Sequence, residues 1–128
     1  MNESILEHIN LTTPDPLSTA SMLCELFDWR IRWQGDSIHG GFSVHVGGMH
    51  SYLALYSNEK QSKNATDSYF RQHGLNHIGV VVNNLEQVER KVIELGMTPH
   101  SHADYEPGKR FYFHDANGLE IEVISYDN

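Results

Sequence analysis

Apolar and polar residues alternate along "LEHINL", Leu6 to Leu11, with Ile9 and Leu11 in one row and His8 and Asn10 in the other. Period two marks a half-buried strand. The pattern returns in "LNHIGV", Leu75 to Val80, where Ile78, Val80 and Val82 form the apolar row and His77 and Gly79 the opposite one. The two segments lie 69 residues apart, and the same offset carries Glu25-Leu26 onto Glu94-Leu95. A repeat sets the whole reading, because each copy then specifies one structural unit. Each copy runs on into helical spacing, first in "PLSTASMLCELF" and then in "LEQVERKVIELG", where Leu85, Val88, Val92 and Leu95 recur and Gly96 supplies a stop. Three strands follow each helix: "WRIRWQ", "GFSVHVG" and "SYLALYS", then "TPHSHA", "RFYFHD" and "LEIEVIS". Asn117-Gly118 is the hairpin signal between the last two. The prediction is an α+β fold, a single domain of two βαβββ modules at about 5–57 and 75–126, joined by a polar connector over 58–74. Paired modules form a curved mixed sheet around a trough.

Composition narrows the function classes. A chain of 128 residues holds one compact domain with a proper core. Its 9 basic and 17 acidic residues give a net charge of -8, and the basic ones are scattered, so the electrostatic footprint of a nucleic-acid binder is missing. The lone Cys24 falls in the first helical segment and reads as a core thiol. No apolar run reaches membrane-span length, and "MNESILEHIN" lacks a basic, then apolar, leader pattern, so a cytoplasmic protein is expected. Without a leader, the sequon Asn64-Ala65-Thr66 carries little meaning.

The candidate chemistry lies on the strand faces turned away from the core. In "LEIEVIS", Leu119, Ile121 and Val123 are the apolar row, which puts Glu120 and Glu122 together on the other side. With His8 and His77, three strands each offer a metal-competent side chain on the non-core face. On "RFYFHD", Arg110, Tyr112 and His114 oppose Phe111 and Phe113; they either line a substrate site or form a polar outer face. His39, His45, His50, His73, His100 and His102 show no spacing that gives them a shared task, and Trp29 and Trp33 read as core or interface.

The paired Leu-x-His-Ile strands, the closing "HDANGLEIEV" and the doubled βαβββ pattern resemble the vicinal oxygen chelate superfamily over nearly the whole chain. That group includes glyoxalases, extradiol dioxygenases, fosfomycin-modifying transferases and bleomycin-binding proteins. The resemblance implies a metal held by His8, His77 and Glu122, with Glu120 nearer the rim. Ala54 occupies the position where glyoxalase-type members carry a fourth ligand, and Asn10 stands where the fosfomycin enzymes have a threonine. Two imidazoles and one carboxylate suit a single divalent ion, Fe, Mn, Zn, Ni or Co, with open positions for a substrate bearing adjacent oxygens. The implied function is lyase, isomerase or oxygenase chemistry on a small oxygenated metabolite. Tyr112 and Glu120 are the candidates for moving a proton, and Asn10, Tyr52, Tyr56 and Arg110 those for binding substrate. A homodimer is implied, with no nucleic-acid or membrane partner. The alternative is a metal-free drug-binding protein of the bleomycin-resistance type, for which Tyr52, Tyr56 and Tyr112 supply aromatic surface.

Overall fold

The computed structural model describes residues 2–63, 67–105 and 108–126; the sequon at Asn64 lies outside them. The fold is α+β, two four-stranded mixed sheets with one helix each. The chain divides into two compact units, Met1–Ser62 and Lys63–Asn128. Among the described residues no helix is long and apolar enough to cross a membrane.

The first unit runs β1 (His8–Thr12), α1 (Pro16–Phe27), β2 (Arg30–Ser37), β3 (Gly41–Gly47) and β4 (Tyr52–Ser57). Its sheet order is β1-β4-β3-β2, with β1 parallel to β4 and the other pairs antiparallel. Helix α1 begins where the sequence marks it: Asp15 Oδ1 accepts from Ser18 N at 3.2 Å, and Pro16 stands where a missing N–H costs nothing. It ends at Asp28, whose φ of 58° turns the chain left-handed. Ala20, Leu23 and Leu26 of α1 are buried, as are Val44, Val46, Leu53 and Leu55 on β3 and β4. These side chains form the unit's core, and each leucine and valine among them is worth about 1.5–3 kcal/mol when fully removed from water.

Ile9 was expected in that core but is 38% exposed. The reason is topological: β1 is an edge strand, while α1 packs mainly across β2, β3 and β4.

The second unit repeats the plan with β5 (Ile78–Val81), α2 (Leu85–Glu94), β6 (His100–Tyr105), β7 (Gly108–His114) and β8 (Glu120–Ser125) in the order β5-β8-β7-β6. Asn84 Oδ1 caps α2 by accepting from Gln87 N, and Gly96, at φ 92°, closes it. Val88 and Val92 are buried on the same side as Phe111, Phe113, Ile121 and Val123. The turn from β7 to β8 is wider than a two-residue hairpin. Asp115 Oδ1 accepts from both Asn117 N and Leu119 N, and Gly118 takes φ 91°.

A bulge interrupts β6. His100 pairs with Tyr112 but Ala103 pairs with Arg110, so β6 carries one extra residue, and Ser101 adopts φ 56°. The consequence is a sorting of histidines. His100 stays on the side of Tyr112, away from the helix, whereas His102 bonds Glu89 of α2 at 2.7 Å.

Candidate functional site

In each unit the helix covers one sheet face and leaves the other to polar and aromatic side chains. On the second unit that face gathers His77, Arg110, Tyr112, Glu120 and Glu122. Parallel pairing sets Gly79 beside Glu122, and antiparallel pairing sets Tyr112 beside Glu122 and His114 beside Glu120. His77 immediately precedes β5 and points its Nε2 at Glu122 Oε1, 3.1 Å away. The other oxygen of Glu122 accepts from Arg110 Nη1 at 2.8 Å.

The tautomer of His77 follows from its second nitrogen. Tyr69 donates its only hydroxyl proton to Glu120 Oε1 at 2.9 Å and also contacts His77 Nδ1 at 3.1 Å, so His77 must donate there. Nδ1 therefore carries a proton, and Nε2 faces a carboxylate oxygen. That contact is favourable only if Nε2 bears a positive charge, either its own proton or a cation bound between the two. Two ligands about 2.1 Å from one ion stand roughly 3.0–3.4 Å apart, which brackets the observed separation. A histidine ligand that donates its other N–H to an oxygen is also the usual arrangement around bound metals.

Charge supports the same fit. The side chains of Glu120, Glu122 and Arg110 are 16%, 13% and 12% exposed, so two mostly buried carboxylates meet one guanidinium. With His77 neutral, the second carboxylate is left for a cation to balance. Gly79 leaves room for it: a Cβ there would approach only Glu122 Oε1, at 3.9 Å. Tyr69 is held above the ordinary tyrosine range by its hydrogen bond to Glu120, then by burial and the neighbouring carboxylates, so it stays a donor.

The first unit holds His8 in a comparable setting. His8 Nδ1 bonds Glu7 Oε1 at 2.8 Å, which again leaves Nε2 for a ligand. The register gives a second parallel. His8 pairs with Tyr52 and Asn10 with Ala54, so Ala54 stands where the second unit has Glu122. Beside His8 runs an aromatic row. Tyr52 stacks on His8 at 4.9 Å and on His45 at 4.6 Å, Trp33 lies against His45 at 5.0 Å, and Arg32 covers Tyr52 at 4.6 Å. Burial, then the charges of His8 and Arg32, push His45 below the ordinary histidine range.

The sequence-predicted residues thus take different places. His77, Glu120, Glu122, Arg110 and Tyr112 cluster, with Tyr112 edge-on to His77 at 5.5 Å. His8, Asn10 and Tyr52 share the open face of the first unit. Tyr56 is 8% exposed, and its hydroxyl donates to Ile38 O at 2.7 Å and accepts from Asn58 Nδ2, a structural use. Tyr69 escaped sequence reasoning because it sits in the polar connector, on a short 3₁₀ turn at Ser68–Phe70. The partnership of His100 with His114, 3.1 Å apart, was missed because the bulge breaks strand alternation.

Among curated proteins none matches the sequence significantly. Solved structures do match. The chain superposes on a glyoxylase/bleomycin resistance protein/dioxygenase domain from Frankia sp. EAN1pec with a TM-score of 0.80 at 19% identity, covering 97% of this chain and 98% of that one. A glyoxalase family protein from Enterococcus faecalis gives 0.76 at 16%, covering 94% and 96%. A mutant of the fosfomycin resistance protein FosX from Listeria monocytogenes, complexed with Mn(II) and 1S,2S-dihydroxypropylphosphonic acid, gives 0.72 at 15%, covering 96% and 93%. A family model matches residues 5–123, and the chain belongs to the Glyoxalase/Bleomycin resistance protein/Dioxygenase superfamily.

Proposed function

We propose that this protein is a divalent-metal-dependent enzyme of the glyoxalase/dioxygenase type, acting on a small metabolite with adjacent oxygens by lyase, isomerase or oxygenase chemistry. The ligands are His8, His77 and Glu122, and the ion is Fe, Mn, Zn, Ni or Co. One observation carries the reading: His77 has Nδ1 committed to Tyr69 and aims Nε2 at Glu122 Oε1 from 3.1 Å. His8 joins the set because its Nδ1 is likewise occupied and it opens the first unit as His77 opens the second. When bound, the cation supplies Lewis acidity that stabilises negative charge on substrate oxygens.

The chain's own groups do the rest. Arg110 holds the Glu122 carboxylate through one oxygen, which orients the other and partly offsets its charge. Tyr69 fixes the ring of His77 and the carboxylate of Glu120 together. Because Tyr69 is kept protonated, Glu120 is the better proton acceptor, and Tyr112 is the candidate donor at its hydroxyl. Asn10 and Tyr52 present hydrogen-bonding and aromatic surface to substrate. The reading includes a cytoplasmic homodimer, whose mass sedimentation equilibrium measures.

A second reading has a specific observation behind it. The row Trp33, His45, Tyr52 and His8 suits a planar drug-like ligand in a metal-free binder of the bleomycin-resistance type. Elemental analysis of protein purified without added metal separates the two. The enzyme reading expects a stoichiometric transition metal that disappears in His77→Ala. A metal-free protein that remains empty when offered these ions, yet binds planar aromatics, favours the binder.

A further inference from the structure

The open face of the second unit carries another group of donors beyond the His77–Glu122 pair. His100 on β6 and His114 on β7 set Nε2 and Nδ1 3.1 Å apart, their rings nearly parallel at 14°. Glu120, the rung partner of His114 on β8, completes a set in which one donor atom of each residue lies within 4.8 Å of the others. Three strands contribute one donor each, so the arrangement is built by register rather than by sequence proximity.

The geometry points to a second divalent-cation site, His100–His114–Glu120, of the class that takes Zn²⁺, Ni²⁺ or Cu²⁺. Three features of the chain support it. First, the nitrogen separation is that of two ligands about 2.0–2.1 Å from one ion. Second, a metal needs Nε2 of His100 bare, and Ser101 Oγ, 2.9 Å from Nδ1, provides an acceptor for the Nδ1 proton. Third, the left-handed Ser101 and the bulge after His100 hold its ring on this face; continued alternation beyond that point would instead bring His102 beside Arg110. Backbone strain of this kind is retained where the surrounding structure fixes it. The donor set of two imidazoles and one carboxylate selects borderline transition ions over Mg²⁺ or Ca²⁺, which prefer all-oxygen cages. His114 is exposed, so the remaining positions are open to water.

This site is distinct from the proposed catalytic one but shares an edge with it. Glu120 Oε1 receives the Tyr69 hydroxyl and lies 4.0 Å from His77 Nδ1, the nitrogen that is not the proposed ligand. A cation held by Glu120 draws on the same carboxylate that steadies His77, so filling the second site weakens proton acceptance by Glu120.

Equilibrium dialysis of the full chain against Zn²⁺, with bound metal counted by elemental analysis, tests the inference. Wild type is expected to bind one equivalent more than His114→Ala or His100→Gln, with the lost equivalent at least tenfold weaker in each variant. His77→Ala must retain that equivalent, and His77→Ala with His114→Ala must lose it. Failure of the catalytic-site reading appears differently, as a wild type whose only equivalent survives His77→Ala and disappears in His114→Ala. Equal stoichiometry and affinity in wild type, His114→Ala and His100→Gln would overturn the second site and leave an imidazole–imidazole hydrogen bond. Circular dichroism of each variant confirms the fold, and His114, on the surface, is the safer replacement.

Discussion

Tyr69 is the residue on which the state of His77 turns. Its hydroxyl accepts from Nδ1 and donates to Glu120, so removing it unties both at once. Tyr69→Phe is expected to weaken metal binding about 10–100-fold, the usual cost of losing the partner behind a histidine ligand. Because Tyr69 is 59% exposed, thermal stability should stay close to wild type. Isothermal titration with Mn²⁺ and a melting curve read the two quantities, and unchanged affinity would show that Nδ1 is held some other way. His45 makes a separate prediction at this scale. Burial depresses its folded pKa, so the unfolded chain takes up the proton first as pH falls. The stability linked to this ring is fully present above about pH 6.5 and is lost as pH drops through the lower folded value. Denaturant titrations at pH 7.5 and 5.5 should show a smaller acid loss for His45→Gln than for wild type. An equal or larger loss would contradict the assignment.

At the scale of elements, strand alternation explains both what the sequence revealed and where it failed. Helix α1 occupies the segment from Pro16 to Phe27 expected to be helical, and β3 the segment from Gly41 to Gly47 expected to be a strand. The faces of β7 and β8 follow the same rule, which set Glu120 with Glu122 and Arg110 with Tyr112 on the non-core side of their strands, while the pairing that brings the two sets together came only with the register. Position within a sheet is not written in a strand's own pattern, so the exposure of Ile9 on an edge strand was not legible. Neither was the β6 bulge, since an extra residue shifts register without changing composition. Tyr69 was hidden for another reason: a polar connector carries no periodicity to read. Glycines test the packing of these elements. A Cβ at Gly47 would run into the Ser51 carbonyl and the Tyr52 backbone, whereas one at Gly79 meets only a carboxylate oxygen at ordinary distance. Gly47→Ala is therefore expected to cost about 1–3 kcal/mol in urea unfolding. Gly79→Ala should fold like wild type, and a larger side chain there, as in Gly79→Leu, should block metal binding without unfolding the chain. A Gly79→Leu protein that binds metal normally would mean the space beside Glu122 is not the site.

For the whole molecule, family membership fixes the fold, and the site residues decide the chemistry. The net charge of -8 suits attraction of a cation more than of an anionic polymer. The open face of the second unit sets Glu120 and Glu122 around His77, and the first unit offers His8 with the same nitrogen left available. Diffraction from crystals grown with Mn²⁺ or Zn²⁺, collected at the absorption edge of the ion, tests the central claim most directly. The account predicts an anomalous peak bonded at about 2.0–2.3 Å to His77 Nε2, a Glu122 oxygen and a His8 Nε2. A loaded crystal with no peak at Glu122, and His77 Nε2 still hydrogen-bonded to its oxygen, would contradict it.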